Sequence, residues 1–129
     1  MKKYVPILMK TQIFAGVGDD EVSAMLSCLD ARLYNYEKGE YVLSKQLLRS
    51  GSSIGANVAE AQRAQSRADF LSKMSIALKE ANETMYWLRI LYRTHYLTER
   101  EFVSMVNDTE ELLRLLTSIC KTVSVSLKK

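Results

Sequence analysis

Apolar residues fall at Leu71, Met74, Leu78, Ala81, Met85, Leu88 and Tyr92, alternating steps of three and four. That spacing lays them on one stripe of an α-helix, whereas a strand would need a period of two. The pattern holds for more than two heptads, so it predicts a helix that buries this seam against other helices. Ser66 stands where an N-cap belongs, with Asp69 three residues on as a variant of the capping box. A second start follows in "LTEREF". There Thr98 caps, Glu101 reaches back from the third helical position, and Leu97 and Phe102 form a hydrophobic staple. One helix therefore ends near Tyr96 and the next begins at Glu99, and so tight a turn makes them antiparallel neighbours.

The last helix continues the seam through Val106, Thr109, Leu113, Leu116, Cys120, Val123 and Leu127. Glu110 and Arg114 are spaced to pair, acids crowd the start and lysines the end, as the helix dipole prefers. Trp87, Ile90 and Leu91, and later Leu112, Leu115 and Ile119, widen both stripes. A wide stripe fits a helix buried in a bundle and equally one that also contacts another subunit. Only one proline, Pro6, and five glycines punctuate 129 residues, which favours long helices over a many-turned β fold.

Ahead of this lies "EYVLSKQLLRSGSSIGANVAEAQ", whose apolar set is Tyr41, Val42, Leu47, Leu48, Ile54 and Val58. Gly51, Gly55 and Ala59 are spaced by four and line one ridge, with Ser52 and Ala56 beside it. A ridge of small residues lets another backbone approach, in exchange for roughly 1 kcal/mol of helix propensity per glycine. The alternative is a break at Gly51, with Ser52 or Ser53 capping a new helix. Asn57 and Glu60, one turn apart, are expected to hydrogen-bond where helices meet rather than to catalyse.

At these residues the chain resembles a bacterial four-helix bundle family first noted as proteins encoded by intervening sequences of large-subunit ribosomal RNA genes. Gln46, Leu47, Arg49, Ser53, Ile54, Asn57, Ala59 and Glu60 carry the likeness, followed by Asp69, Phe70, Ala77, Glu80, Glu83 and Leu88. The likeness covers about residues 41–129. It implies an antiparallel four-helix bundle assembled into homopentameric rings. It also implies kinship with the accessory proteins of diversity-generating retroelements, basic bundles that associate with a reverse transcriptase and nucleic acid. It brings no catalytic residues.

Residues 1–43 instead resemble the opening of cyclic-nucleotide-type regulators of the catabolite activator and Fnr-like group. Pro6, Phe14, Gly16, Glu21, Leu26, Leu29, Ala31, Tyr36, Lys38, Gly39 and Glu40 carry that likeness. No β-roll, phosphate cassette or helix-turn-helix follows, so no cyclic nucleotide is expected to bind. Val22, Met25, Leu26, Leu29 and Leu33 recur at helical spacing. They predict a short first helix from about Asp19 to Tyr34, preceded by an arm over 1–18. The whole is expected to be one all-α domain, an antiparallel four-helix bundle with an atypical first helix.

Chemistry is sparse. His95 is the single histidine, no metal-ligand spacing appears, and neither a phosphate loop nor a nucleophile–base arrangement is present. No enzyme activity and no cofactor are expected. Cys28 and Cys120 sit in apolar patterns and read as buried free thiols. The opening residues lack a signal-peptide core and no apolar run could span a bilayer, so a cytoplasmic protein is expected. Charge is uneven: the formal net charge is +3, yet the bundle portion after Leu43 carries 13 basic and 9 acidic residues. Lys45, Arg49, Arg63, Arg67 and Lys73 gather on the second helix, the loop and the start of the third, and Arg89 and Arg93 pair one turn apart. These seven are the candidate phosphate contacts, which would be sequence-independent and salt-sensitive. A solvated surface is the alternative. Two functions follow: a non-catalytic oligomeric accessory protein that binds RNA, DNA or a reverse transcriptase, or an oligomerisation module without a nucleic-acid role.

Overall fold

A computed structural model describes residues 39–128. Among the described residues the chain is all-helical, with no strand: α1 spans Leu43–Ala61, α2 Arg67–Arg93 and α3 Glu99–Leu127. The arm over 1–18, the short helix expected from Asp19 to Tyr34, Cys28, and most of the stretch that resembles cyclic-nucleotide regulators lie outside the described residues.

Each helix starts where a polar group takes up its free amides. Ser66 accepts from the Asp69 N–H at 3.0 Å at the start of α2. Thr98 and Glu101 form a complete capping box at the start of α3. At α1 the cap residue is Val42, which has no side-chain acceptor. Glu40 does the work from two residues upstream. Its carboxylate accepts from the N–H groups of Val42 (2.8 Å), Leu43 (2.6 Å) and Ser44 (2.8 Å). Gly39, at φ +77°, makes the turn that brings Glu40 into place, a backbone conformation suited to glycine. Burial pushes the Glu40 carboxyl up, but the amides of Ser44, Leu43 and Val42 and the Ser44 hydroxyl outweigh it and hold it below 4.5.

The α2–α3 turn is also specific. α2 ends at Arg93, three residues before the expected end at Tyr96. His95 adopts φ +64°, its N–H bonds the Tyr92 carbonyl at 3.0 Å, and the Tyr96 N–H reaches the Leu91 carbonyl at 2.9 Å. This is a Schellman stop with histidine at the left-handed position usually taken by glycine. The single histidine thus has a structural position, at the helix stop.

α1 runs unbroken through Gly51, so the alternative of a break there does not hold. Gly51 and Gly55 are both buried. A Cβ placed on Gly55, however, would meet nothing within 4 Å. The expected close approach of a second backbone along the Gly51–Gly55–Ala59 ridge is therefore absent at Gly55 among the described residues.

α2 packs between α1 and α3, antiparallel to both. Arg49 meets Glu83 while Glu60 meets Lys73; Phe102 meets Tyr92 while Cys120 meets Ser75. One core layer joins Ile54 and Val58 of α1, Ala77 and Ala81 of α2, and Leu112 and Leu116 of α3. The other gathers Leu47, Leu88, Leu91, Leu97 and Met105. Leu47, Leu88 and Leu91 are fully buried, each a gain of about 1.5–3 kcal/mol over exposure.

The stripes are rotated from the expected seams. On α3 the buried row is Met105, Thr109, Leu112 and Leu116, with Val106, Leu113, Cys120 and Val123 only half-buried. On α2, Ala77, Thr84 and Leu91 join Met74, Ala81, Met85 and Leu88, while Leu71, Leu78 and Tyr92 are half-buried. A helix with neighbours on two sides buries the rows between them, so the best single seam in the sequence is one edge of its core face.

Candidate nucleic-acid interface

The charges sort by seam. Across α1–α2, Arg49 bonds the Glu83 carboxylate, lies 4.0 Å from Glu80, and takes its own Nε–H to Gln46 at 3.1 Å. Glu83 also accepts from the Trp87 indole N–H at 3.1 Å. That indole bond, and the Arg49 bond and charge with it, hold the Glu83 carboxyl below 4.5 against a smaller upward push from burial. Beneath this cluster the Thr84 hydroxyl donates to the buried Ser50 hydroxyl at 2.9 Å. About three turns along, Lys73 meets Glu60 at 2.6 Å, and that bond raises the Lys73 ammonium above 10.5. Asn57 turns back to its own helix, donating to the Ser53 carbonyl at 2.9 Å.

These contacts decide which cations are free. Of the seven expected phosphate contacts, Arg49 and Lys73 are held by acids, and Arg67 reaches the Ser126 hydroxyl at 3.4 Å. Lys45, Arg63, Arg89 and Arg93 are exposed, and their side chains make no hydrogen bond or ion pair among the described residues. They do not share one patch. Arg63 follows α1 at the α1–α2 turn, whereas Arg89 and Arg93 lie at the far end of α2, which is about 40 Å long.

What the structure brings together instead is a row the sequence reading missed. The α3 positions opposite the buried row are Arg100, Asn107, Arg114 and Lys121, and the C-cap residue Lys128 continues the row; they are spaced by seven and all exposed. None of them is acidic, and the four cations carry no ion pair among the described residues. The expected Glu110–Arg114 pair does not close to 4.0 Å, which leaves Arg114 free. At one residue per heptad the row rises about 10.5 Å per step and extends for about 42 Å. The outward row of α2 follows the same rule: Ser72, Lys79, Tyr86 and Arg93 are exposed and include no acid, because Glu80 and Glu83 turn toward α1. The signal was present in the sequence as a heptad of cations. It was hidden because the seam used for phasing was one edge of the buried face.

Among the described residues no group of His, Cys, Asp or Glu could hold a metal ion, and no helix is long and apolar enough to cross a membrane. Cys120 is half-buried rather than buried, with its sulfur 3.9 Å from the Ser75 hydroxyl.

The family model of the 23S rRNA-intervening sequence protein matches residues 23–118. The chain belongs to that family. A crystal structure at 1.70 Å of a protein with unknown function, from the S23 ribosomal protein family of Bacteroides thetaiotaomicron VPI-5482, is 51% identical. It superposes with a TM-score of 0.75, over 80% of this chain and 96% of that one. No curated protein matches. The family match starts at Ser23 rather than near Tyr41, so it takes in part of the stretch that resembles cyclic-nucleotide regulators. It stops at Ser118, before Lys121 and Lys128 of the cationic row.

Proposed function

We propose that this member of the 23S rRNA-intervening sequence protein family is a non-catalytic helical scaffold that holds the sugar-phosphate backbone of a nucleic acid on its outward rows. The observation that carries the reading is the row of free cations on α3: Arg100, Arg114, Lys121 and Lys128, with no acid at an intervening heptad position. Such a row attracts a polyanion without reading its sequence, and each phosphate neutralised releases counterions. The two anchored cations, Arg49 and Lys73, serve the α1–α2 seam instead. In this reading the segment before α1 supplies the first helix of a four-helix bundle. A homopentameric ring, the assembly that the family likeness implies, would set copies of the row around one axis. A reverse transcriptase would then meet a nucleic acid already held by the scaffold.

The test is affinity for labelled RNA and DNA over a range of salt. Binding should weaken linearly on a log–log plot, with a slope of about −0.7 per phosphate contact for single strands and −0.9 for duplex. Arg114→Gln with Lys121→Gln should weaken every sequence alike and make the slope shallower by about one per removed contact. Absence of binding at low salt would leave an oligomerisation module as the function, which light scattering would then show as an assembly insensitive to these changes.

A further inference from the structure

Tyr86 is the odd member of the outward row of α2. It is 55% exposed, between Lys79 and Arg93 one heptad to either side. A singly exposed ring is ordinary on a protein surface, but this one stands in line with cations. The ring also has a built support. It stands edge-on to Trp87, with centroids 4.9 Å apart and an interplanar angle of 69°. Trp87 is in turn fixed by its indole N–H on Glu83, which Arg49 holds from α1. One face of the helix therefore presents a positioned ring, with Asn82 and Arg89 one turn away on either side, all exposed.

We infer that Tyr86 is a stacking platform for an unpaired nucleobase, with Lys79, Arg89 and Arg93 holding the phosphates that flank it. The inference rests on the nucleic-acid reading above and narrows it to single strands. Aromatic rings set among cations are the general means of holding single-stranded nucleic acid without sequence preference, because every base offers a π-face. A duplex keeps its bases stacked on each other and offers the ring nothing. Its phosphates would meet the cations alone.

The experiment compares wild type, Tyr86→Ala and Tyr86→Phe by anisotropy of labelled oligouridylate, oligothymidylate and a duplex of equal length. Tyr86→Ala should weaken both single strands by about tenfold and leave the duplex unchanged. Tyr86→Phe, which keeps the ring, should bind like wild type. A loss confined to oligouridylate or to oligothymidylate would assign the platform to RNA or DNA respectively. Equal single-strand affinity for wild type and Tyr86→Ala, or an equal fall for the duplex, overturns the platform and leaves the cationic scaffold standing. A change of assembly mass with Tyr86→Ala, without the selective loss, assigns the ring to a contact between copies and also overturns it. No binding of any oligonucleotide by wild type overturns both readings. Because the side chain is exposed, Tyr86→Ala should fold normally, as circular dichroism will verify.

Discussion

The α1–α2 seam adds to its apolar packing a set of polar groups that name their partners: Arg49 with Glu83, Thr84 with Ser50, Lys73 with Glu60. The α2–α3 seam is closed by apolar packing and by the stacked rings of Tyr92 and Phe102, 4.3 Å apart and nearly parallel. Its polar crossings are the long Ser75–Cys120 and Arg67–Ser126 contacts. The difference shows how one seam shapes the opposite surface. α2 spends Glu80 and Glu83 on α1, so its outer rows keep lysine and arginine unopposed. A modest net charge thereby becomes a directional one.

The contrast can be broken most severely on the apolar side. Leu112→Ala removes a side chain that is 1% exposed where all three helices meet. It should cost about 2–5 kcal/mol in urea unfolding, and a loss under 1 kcal/mol would mean that layer is loosely packed. Next is the start of α1, where Glu40→Ala strips three amides of their acceptor. A loss of about 1–2 kcal/mol is expected, with α1 amides exchanging hydrogen faster than those of α2.

Gly55→Ala tests the other face of α1 and has the opposite sign. With open space around a Cβ, alanine should stabilise the chain by about 0.5–1 kcal/mol. A lower melting temperature would restore the close-contact ridge.

Glu83→Gln probes the polar seam through pH. The Glu83 carboxyl is held below its ordinary value, so its ionised form stabilises the folded chain above pH 4.5, and that contribution fades as pH falls through the folded value. Wild type should exceed Glu83→Gln by less than about 1 kcal/mol at neutral pH, because the pair is partly solvated. The two should converge in acid. A gap that persists at low pH would place the effect in the amide's geometry rather than in charge. Smallest of all, Arg114→Gln should stay within about 0.5 kcal/mol of wild type, since the exposed side chain makes no hydrogen bond or ion pair among the described residues.

The starts of α2 and α3 were legible because serine and threonine stood at the cap with an acid three residues on. The start of α1 was not, because its acceptor is a glutamate upstream of an uncapped valine. Periodicity located α2 and α3 but fixed their rotation by only one edge. Thr84 belongs to the buried row of α2, and a hydrophobic count passes over it although its hydroxyl is satisfied by that of Ser50. The Glu60–Lys73 pair joins residues thirteen apart across a turn, and Arg49–Glu83 residues thirty-four apart. No local spacing rule reaches either. Charge content was visible in the sequence. Which cations were already occupied was not, and that distinction moved the candidate interface from the α1–α2 turn to the outward rows of α2 and α3.

Trp87 is the single tryptophan of the chain, and its indole N–H bonds Glu83 at the polar seam. Its fluorescence is therefore a local gauge of α1 against α2, while far-ultraviolet circular dichroism sums over every helix. If α3 peels away first, the dichroism will fall while the emission holds. Superimposable curves from the two signals would instead mark the bundle as a single cooperative unit, in which the polar and apolar seams give way together.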